Sequence, residues 1–180
     1  MYIDRHWLRE AEQIASPNFD DRPDPDDISL LVIHCISLPP GEFGNSCIAD
    51  LFCNRLEPDR HPYFKDIYQL KVSSHLVIKR TGVIEQYVAF DKRAWHAGLS
   101  NYKGRERCND FSIGIELEGT EDTPYTARQY QRLGAIVQAL FVAYPGLSKE
   151  QITGHSTIAP GRKTDPGESF DWKKFYSLLG

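Results

Sequence analysis

The feature that most constrains the fold is a seven-residue run, LLVIHCI, from Leu30 to Ile36. The run is apolar and partly β-branched, which predicts a short strand that is buried on both faces. It is interrupted by one polar residue, His34. Burying an imidazole costs free energy unless a hydrogen bond or a metal satisfies it, so this position needs a chemical explanation.

Further strands are predicted after this run. Residues 74–80 and 83–89 are strand-like and meet around Thr81 and Gly82, which predicts a β-hairpin. From residue 111 to 118, apolar side chains alternate with Ser, Gly and Glu, so we expect a strand with one apolar and one polar face. Glu116 and Glu118 would then point away from the side that packs.

Helical patterns occupy three segments. Thr126 and Gln129 form a capping-box signature, and apolar residues at helical spacing follow until Pro145 and Gly146 end the pattern. Shorter helices are predicted for residues 47–56 and 171–179. Strands and helices in this order predict an α/β sheet with helices on its faces.

The chain length favours one domain. A chain of 180 residues can bury about 70% of its unfolded surface around a single core. The only compositional break is the acidic, Pro-rich stretch DDRPDPDD at residues 20–27, which predicts a surface loop. We therefore expect residues 1–180 to form a single domain.

Charge and apolar patterning exclude some partners. The net charge is -4 and the basic residues are scattered, whereas binding nucleic acid needs a concentrated Lys/Arg surface. The segment MYIDRHWLREAEQI is charged where a signal peptide is apolar, and no membrane-spanning run occurs elsewhere. We expect a cytoplasmic protein without nucleic-acid or membrane partners, in which all four cysteines are thiols: Cys35, Cys47, Cys53 and Cys108.

A second group of polar residues lies in GHSTIAPGRKTDPG, residues 154–167, which holds His155, Lys163 and Asp165. Loops at strand ends are where sites collect, although such a segment could equally be a turn with a solvated lysine. His34 alone is likewise more often a core histidine than a ligand. No GxGxxG motif is present, and the Gly161-to-Thr164 segment lacks the spacing of a phosphate-binding loop.

Together these residues are chemically suited to a metal. Two imidazoles and one carboxylate are a standard ligand set for catalytic zinc, and His34, His155 and Asp165 could supply it. His6 and His61 are expected at the surface, whereas His75 and His96 could be structural or could line a site. Cys35 should face the opposite side of the strand from His34 and is not expected to be a ligand.

Several blocks of the sequence resemble a known family. The chain is similar to the anhydro-N-acetylmuramyl-L-alanine amidases of bacterial cell-wall recycling, the AmpD type, within the wider amidase and peptidoglycan-recognition superfamily. The resemblance covers essentially the whole chain. It is carried, in order, by SLLVIHCISLPPGEFG, HPYF, SSHLVIKRTGVIEQYVAFDKRAWHAG, GRERCNDFSIGIELEG and TGHSTIAPGRKTDPGESFDW.

The resemblance implies a fold, a cofactor and a site. The fold would be a mixed central β-sheet flanked by helices, with one zinc per chain at one end of the sheet. The zinc ligands would be His34, His155 and Asp165. Glu116 would orient or deprotonate the attacking water, and Lys163 would stabilise the oxyanion. Muropeptide would be the partner of a monomeric enzyme, and its contacts would come from Trp95, Arg107, Arg162 and Lys71.

Three other classes of protein remain as alternatives. A peptidoglycan-binding module without turnover would not need Glu116 beside a complete ligand set. A structural zinc site normally has four protein ligands, most of them cysteine. A zinc peptidase that cuts ordinary peptides is the strongest rival, because the same chemistry hydrolyses any amide.

Overall fold

A six-stranded mixed sheet forms the centre of the computed structural model, which describes residues 1–180. The strands of the chain are β1 Ile3–Asp4, β2 Trp7–Leu8, β3 Glu12–Gln13, β4 Phe19–Asp21, β5 Leu30–Ile36, β6 Leu76–Ile78, β7 Ile84–Gln86, β8 Lys92–Ala94, β9 Asn101–Tyr102, β10 Arg105–Glu106, β11 Ser112–Glu118 and β12 Ile152–Gly154. The α-helices are α1 Cys47–Phe52, α2 Phe64–Ile67, α3 Ala127–Ala143, α4 His155–Ile158 and α5 Trp172–Ser177.

The sheet order is β12-β5-β11-β6-β7-β3. Strands β12, β5, β11 and β6 are parallel, whereas β6 and β7 are antiparallel and form the hairpin predicted from the sequence. The remaining strands form three short two-stranded ladders, β1-β2, β4-β8 and β9-β10. The prediction of an α/β fold with a mixed central sheet flanked by helices is confirmed.

Strand β5 has the bounds predicted for LLVIHCI and is buried on both faces. On one face, Leu31 and Ile33 join the largest apolar cluster, to which α3 and α5 contribute. On the other face, Leu30 and Val32 join a smaller cluster under the loop that follows β8. His34 lies on this second face, because side chains alternate along a strand.

The polar face of strand β11 differs from what its sequence suggests. The alternation is present, and Ile113, Ile115 and Leu117 pack toward α3. The opposite face, however, is not exposed to solvent: Glu116 is 8% exposed and Glu118 is 1% exposed. Glu118 accepts hydrogen bonds from two backbone N–H groups in neighbouring loops, so it is not a solvated strand residue.

The helices agree with their sequence signals, and one predicted loop does not. Helix α3 begins at the predicted capping box and ends before Pro145, while α1 and α5 are shorter than expected. The segment at residues 20–27 was expected to be a surface loop, but it begins in β4 and buries Arg22. The guanidinium of Arg22 donates to backbone carbonyls that include those of Phe90 and Ser112, which satisfies the buried charge. None of the helices has both the length and the apolar character needed to cross a bilayer.

Candidate metal centre and catalytic cleft

The predicted site residues meet at one edge of the sheet. His34 lies near the end of β5, and Glu116 is its register partner on the parallel strand β11. His155 directly follows β12, the other parallel neighbour of β5. Because the carboxyl ends of parallel strands share one edge of a sheet, the topology brings these side chains together.

Three side chains converge there as a potential metal-binding group. His34 Nδ1 is 3.0 Å from His155 Nδ1 and 3.0 Å from Asp165 Oδ2, and His155 Nδ1 is 3.1 Å from the same oxygen. Ligand atoms around a tetrahedral zinc with bonds of about 2.0–2.1 Å lie roughly 3.3 Å apart. The spacing and the donor types therefore fit one ion shared by all three groups.

Local backbone structure holds Asp165 against His155. The N–H of Ser156 donates to the carbonyl of Asp165 at 2.9 Å. Gly154 allows this close approach, since a Cβ at that position would lie 2.8 Å from Cδ of Pro166. The loop that carries Asp165 thus folds back onto the end of β12.

The electrostatics of the group favour the protonation states that a metal needs. Burial lowers the pKa of His34 from 6.5 to about 4, against the opposing effect of Asp165. Burial alone would raise the pKa of Asp165, but hydrogen bonds with His155 and His34 outweigh it and leave the pKa below 3.8. Near neutral pH, His34 is therefore neutral and Asp165 is ionised, as metal ligands must be.

Glu116 lies beside this group as a buried carboxyl with an unused oxygen. Its Oε2 atom is buried without a hydrogen-bond partner. Burial raises the pKa of Glu116 well above 4.5, and the negative charge of Asp165 adds to this effect while Lys163 opposes it. Perturbed and unpartnered groups of this kind concentrate at functional sites.

These residues line a cleft of about 480 Å³. Its polar part includes the potential metal-binding group, Glu116 and Lys163. Much of its apolar part comes from residues that were not predicted as site residues, namely Leu51, Phe52, Tyr63, Ile67, Leu70 and Val72. The one sequence signal for this wall was the HPYF block, which contains Tyr63.

Two of the four predicted substrate contacts line the cleft, Trp95 and Arg162. The indole N–H of Trp95 donates to Asp20 at 3.1 Å. Arg162 donates to the carbonyls of Ala97 and Leu99, each at 2.6 Å. Both side chains are therefore held in fixed orientations at the cleft.

The other two predicted substrate contacts do not line this cleft. Lys71 is exposed and lies outside it. Arg107 is 70% exposed, pairs with Asp110 at 2.8 Å, and lines a second depression of about 440 Å³ together with Arg162. Arg107 can therefore meet a ligand only if that ligand extends beyond the main cleft.

The remaining histidines and Cys35 divide into structural and site-lining residues. His6 is exposed and His61 is partly exposed. His75 is buried and structural, with Nδ1 accepting from the N–H of Gly114 at 3.0 Å. His96 lines the cleft and contacts His34. Cys35 packs against the large apolar cluster, lines the cleft, and is not among the three side chains of the metal-binding group.

The chain is similar over nearly its whole length to known amidases. The family model for N-acetylmuramoyl-L-alanine amidases, Amidase_2, matches residues 24–168. The Citrobacter freundii 1,6-anhydro-N-acetylmuramyl-L-alanine amidase AmpD is 58% identical over 179 residues, which cover 99% of this chain and 95% of that protein.

Solved structures give the same result. The crystal structure of a Se-Met AmpD derivative has a TM-score of 0.97 at 57% identity and covers 100% of both chains. The complex of AmiD from E. coli with its substrate, anhydro-N-acetylmuramic acid-L-Ala-D-γ-Glu-L-Lys, has a TM-score of 0.61 at 27% identity and covers 98% of this chain and 65% of that one. The residues matched by the family model include all three members of the metal-binding group. The chain belongs to the N-acetylmuramoyl-L-alanine amidase family.

Proposed function

We propose that this chain is a zinc-dependent hydrolase that cuts the amide bond between 1,6-anhydro-N-acetylmuramic acid and L-alanine in muropeptides. The observation that carries the proposal is the unpartnered, buried Oε2 of Glu116 beside the His34, His155 and Asp165 group. The full-length similarity to a 1,6-anhydro-N-acetylmuramyl-L-alanine amidase supports the choice of sugar. The AmiD complex with an anhydromuramyl peptide supports the choice of substrate class.

The setting of the reaction belongs to the same proposal. The enzyme acts in cytoplasmic cell-wall recycling as a monomer, with residues 1–180 forming one amidase domain and binding one zinc. Its four free cysteines are in keeping with a reducing compartment. Neither nucleic acid nor a membrane is required for the reaction.

His34, His155 and Asp165 would hold the zinc through Nδ1, Nδ1 and a carboxylate oxygen. Zinc bound by three protein ligands supplies Lewis acidity, which activates water and polarises an amide carbonyl. All three groups line the cleft, together with Glu116 and Lys163. A fourth protein ligand, as in a structural site, is not among the residues that converge there.

Glu116 is the proton acceptor in this mechanism. Its Oε2 has no hydrogen-bond partner and would take a proton from the attacking water, and its raised pKa suits a group that must later give that proton to the leaving amine. Transfer of that proton from the same carboxyl to the L-alanine nitrogen would complete the cleavage. Glu116 thus acts first as general base and then as general acid.

Lys163 stabilises the negative charge that develops on the carbonyl oxygen. Its ammonium lines the same cleft as Glu116 and lies on the loop that carries Asp165. A fixed positive charge near the oxyanion lowers the barrier more than it strengthens substrate binding, because the charge forms only in the transition state. Trp95 and Arg162 bind the substrate within the cleft, while Arg107 and Lys71 meet its more distant carboxylates.

Metal analysis tests the cofactor part of the proposal. The purified chain should contain one zinc, and His34→Ala should lose both zinc and activity. Chelation should abolish activity but leave the circular dichroism spectrum largely unchanged, because a core of this size does not depend on the metal to fold. Global unfolding on chelation would instead identify a structural zinc site.

A further inference from the structure

Both histidines of the metal-binding group form a hydrogen bond through Nε2, the ring nitrogen that faces away from Asp165, and both bonds go to the same dipeptide, His96–Ala97. His34 Nε2 is 2.9 Å from Nδ1 of His96. His155 Nε2 is 3.1 Å from the backbone carbonyl of Ala97. Two consecutive residues in the loop after β8 therefore contact both candidate ligands on the side away from Asp165.

The contact at His155 fixes its tautomer. A backbone carbonyl can only accept a hydrogen bond, so Nε2 of His155 must carry the ring hydrogen. In a neutral imidazole the other nitrogen, Nδ1, then has a free lone pair. That nitrogen is the one that faces Asp165.

The contact at His34 is part of a longer hydrogen-bond chain. His96 Nε2 is 3.1 Å from Oγ of Ser112, so the chain runs from His34 through His96 to a hydroxyl on β11. Of its two directions, only one leaves Nδ1 of His34 free: His34 Nε2–H donates to His96, and His96 Nε2–H donates to Ser112. This direction is possible because the hydroxyl of Ser112 can accept a hydrogen bond as well as donate one.

The dipeptide is itself held firmly. Oδ1 of Asn109 accepts hydrogen bonds from the backbone N–H groups of both His96, at 3.2 Å, and Ala97, at 2.8 Å. Gly114 leaves room for the imidazole of His96, since a Cβ at that position would lie 2.5 Å from Cγ of His96. The ring therefore sits against the sheet in one place, and the acceptors for both ligands are fixed in advance.

We propose that the His96–Ala97 dipeptide sets the tautomer and the orientation of both histidine ligands, with His96 as a positioning residue for His34. The inference rests on the proposed zinc site. Partners that bond the second nitrogen of a ligating histidine typically change metal affinity about 10- to 100-fold when they are removed. His96 should have an effect of this size without touching the metal.

A matched pair of variants tests the proposal through zinc affinity. His96→Asn places a carbonyl oxygen near the position of Nδ1 and keeps an acceptor for His34, whereas His96→Leu has a similar shape and no acceptor. In competition with a chromogenic chelator, His96→Leu should bind zinc about 10- to 100-fold more weakly than the unaltered chain. His96→Asn should lie clearly closer to the unaltered chain. His96→Phe, which keeps a ring without nitrogen, is the second acceptor-free variant if His96→Leu fails to fold.

A spectroscopic readout separates positioning from general destabilisation. In long-range ¹H–¹⁵N spectra of the zinc-loaded chain, His34 and His155 should both show the Nε2–H tautomer. In the acceptor-free variants the Nε2–H of His34 should exchange faster with water, while that of His155 should be unchanged because Ala97 still accepts from it. A merely structural role for His96 would alter both histidines or neither.

Three outcomes would count against the inference in different ways. Equal zinc affinity of His96→Asn, His96→Leu and the unaltered chain would overturn the role of His96 and leave the proposed function standing. Failure of the unaltered chain to bind zinc would overturn the proposed function and this inference with it. A Nδ1–H tautomer for either histidine in the zinc-loaded chain would also contradict the inference.

Discussion

At the scale of single residues, the site keeps groups that the fold would be more stable without. Glu116 lies in a strand that is buried along its whole length, and one of its oxygens has no partner. An ionised carboxylate without partners is costly to bury, so packing alone does not account for this residue. Its position beside His34 and Asp165 instead gives it a chemical use in the proposed reaction.

The first prediction concerns turnover. Glu116→Gln removes the proton acceptor, and Lys163→Ala removes the charge aimed at the oxyanion, so each should lower the rate of amide hydrolysis about 100- to 1000-fold. Both variants should retain zinc, since neither residue is in the metal-binding group. Lys163→Arg should also be impaired, because a planar guanidinium cannot place its charge where a compact ammonium does. Wild-type initial rates with zinc bound would rule out these roles.

The second prediction concerns stability and pH in the metal-free chain. The pKa of Glu116 is raised in the folded state, so the unfolded state releases this proton more readily. Burial of Glu116 therefore carries no ionisation cost below the ordinary carboxyl pKa of 4.5, and the folded state loses stability relative to the unfolded state as the pH rises from there through the folded-state pKa. Glu116→Gln should therefore be more stable than the unaltered chain at pH 8, with a smaller difference at pH 5. Urea unfolding at both pH values measures this, and a pH-independent difference would contradict it.

At the scale of elements, sequence patterns predicted the periodicity of strands and helices well. They predicted poorly which groups pack over the faces of a strand. The bounds of β5 and the start of α3 follow from local residues and were predicted from them. The alternation of β11 was also correct, but the sequence of one strand does not show what covers its polar face. In the fold that face is covered by the imidazole of His96 and by loops whose N–H groups bind Glu118.

The capping box of α3 gives a prediction at this scale. Oγ1 of Thr126 accepts from the N–H of Gln129 at 3.2 Å and donates to the carbonyl of Arg80 at 2.9 Å. Thr126→Ala should lower the free energy of unfolding by about 1 kcal/mol in urea titrations. Thr126→Ser keeps both bonds and should be nearly neutral. Zinc content should not change in either variant, and loss of zinc would mean that α3 is coupled to the site.

At the scale of the whole molecule, the parallel strands gather residues that are far apart in sequence. His34, Glu116 and His155 are joined only by the order β12-β5-β11, which no local pattern contains. A histidine in an apolar strand, taken alone, is more often a core residue than a ligand. The chemistry of His34, His155 and Asp165 suited zinc, but only the family resemblance assigned them as its ligands. The apolar wall of the cleft escaped prediction because α1 and α2 reach the site by tertiary packing.

The central claim is cleavage at the sugar–peptide amide, and mass spectrometry of the digestion products tests it most directly. Zinc-loaded chain should convert anhydro-N-acetylmuramyl tripeptide into free anhydro-N-acetylmuramic acid and an intact tripeptide. The Glu116→Gln variant should leave the substrate largely intact over the same time. Fragments cut between amino acids of the stem would identify a zinc peptidase, and an intact substrate with bound zinc would identify a binding module; either result would contradict the account.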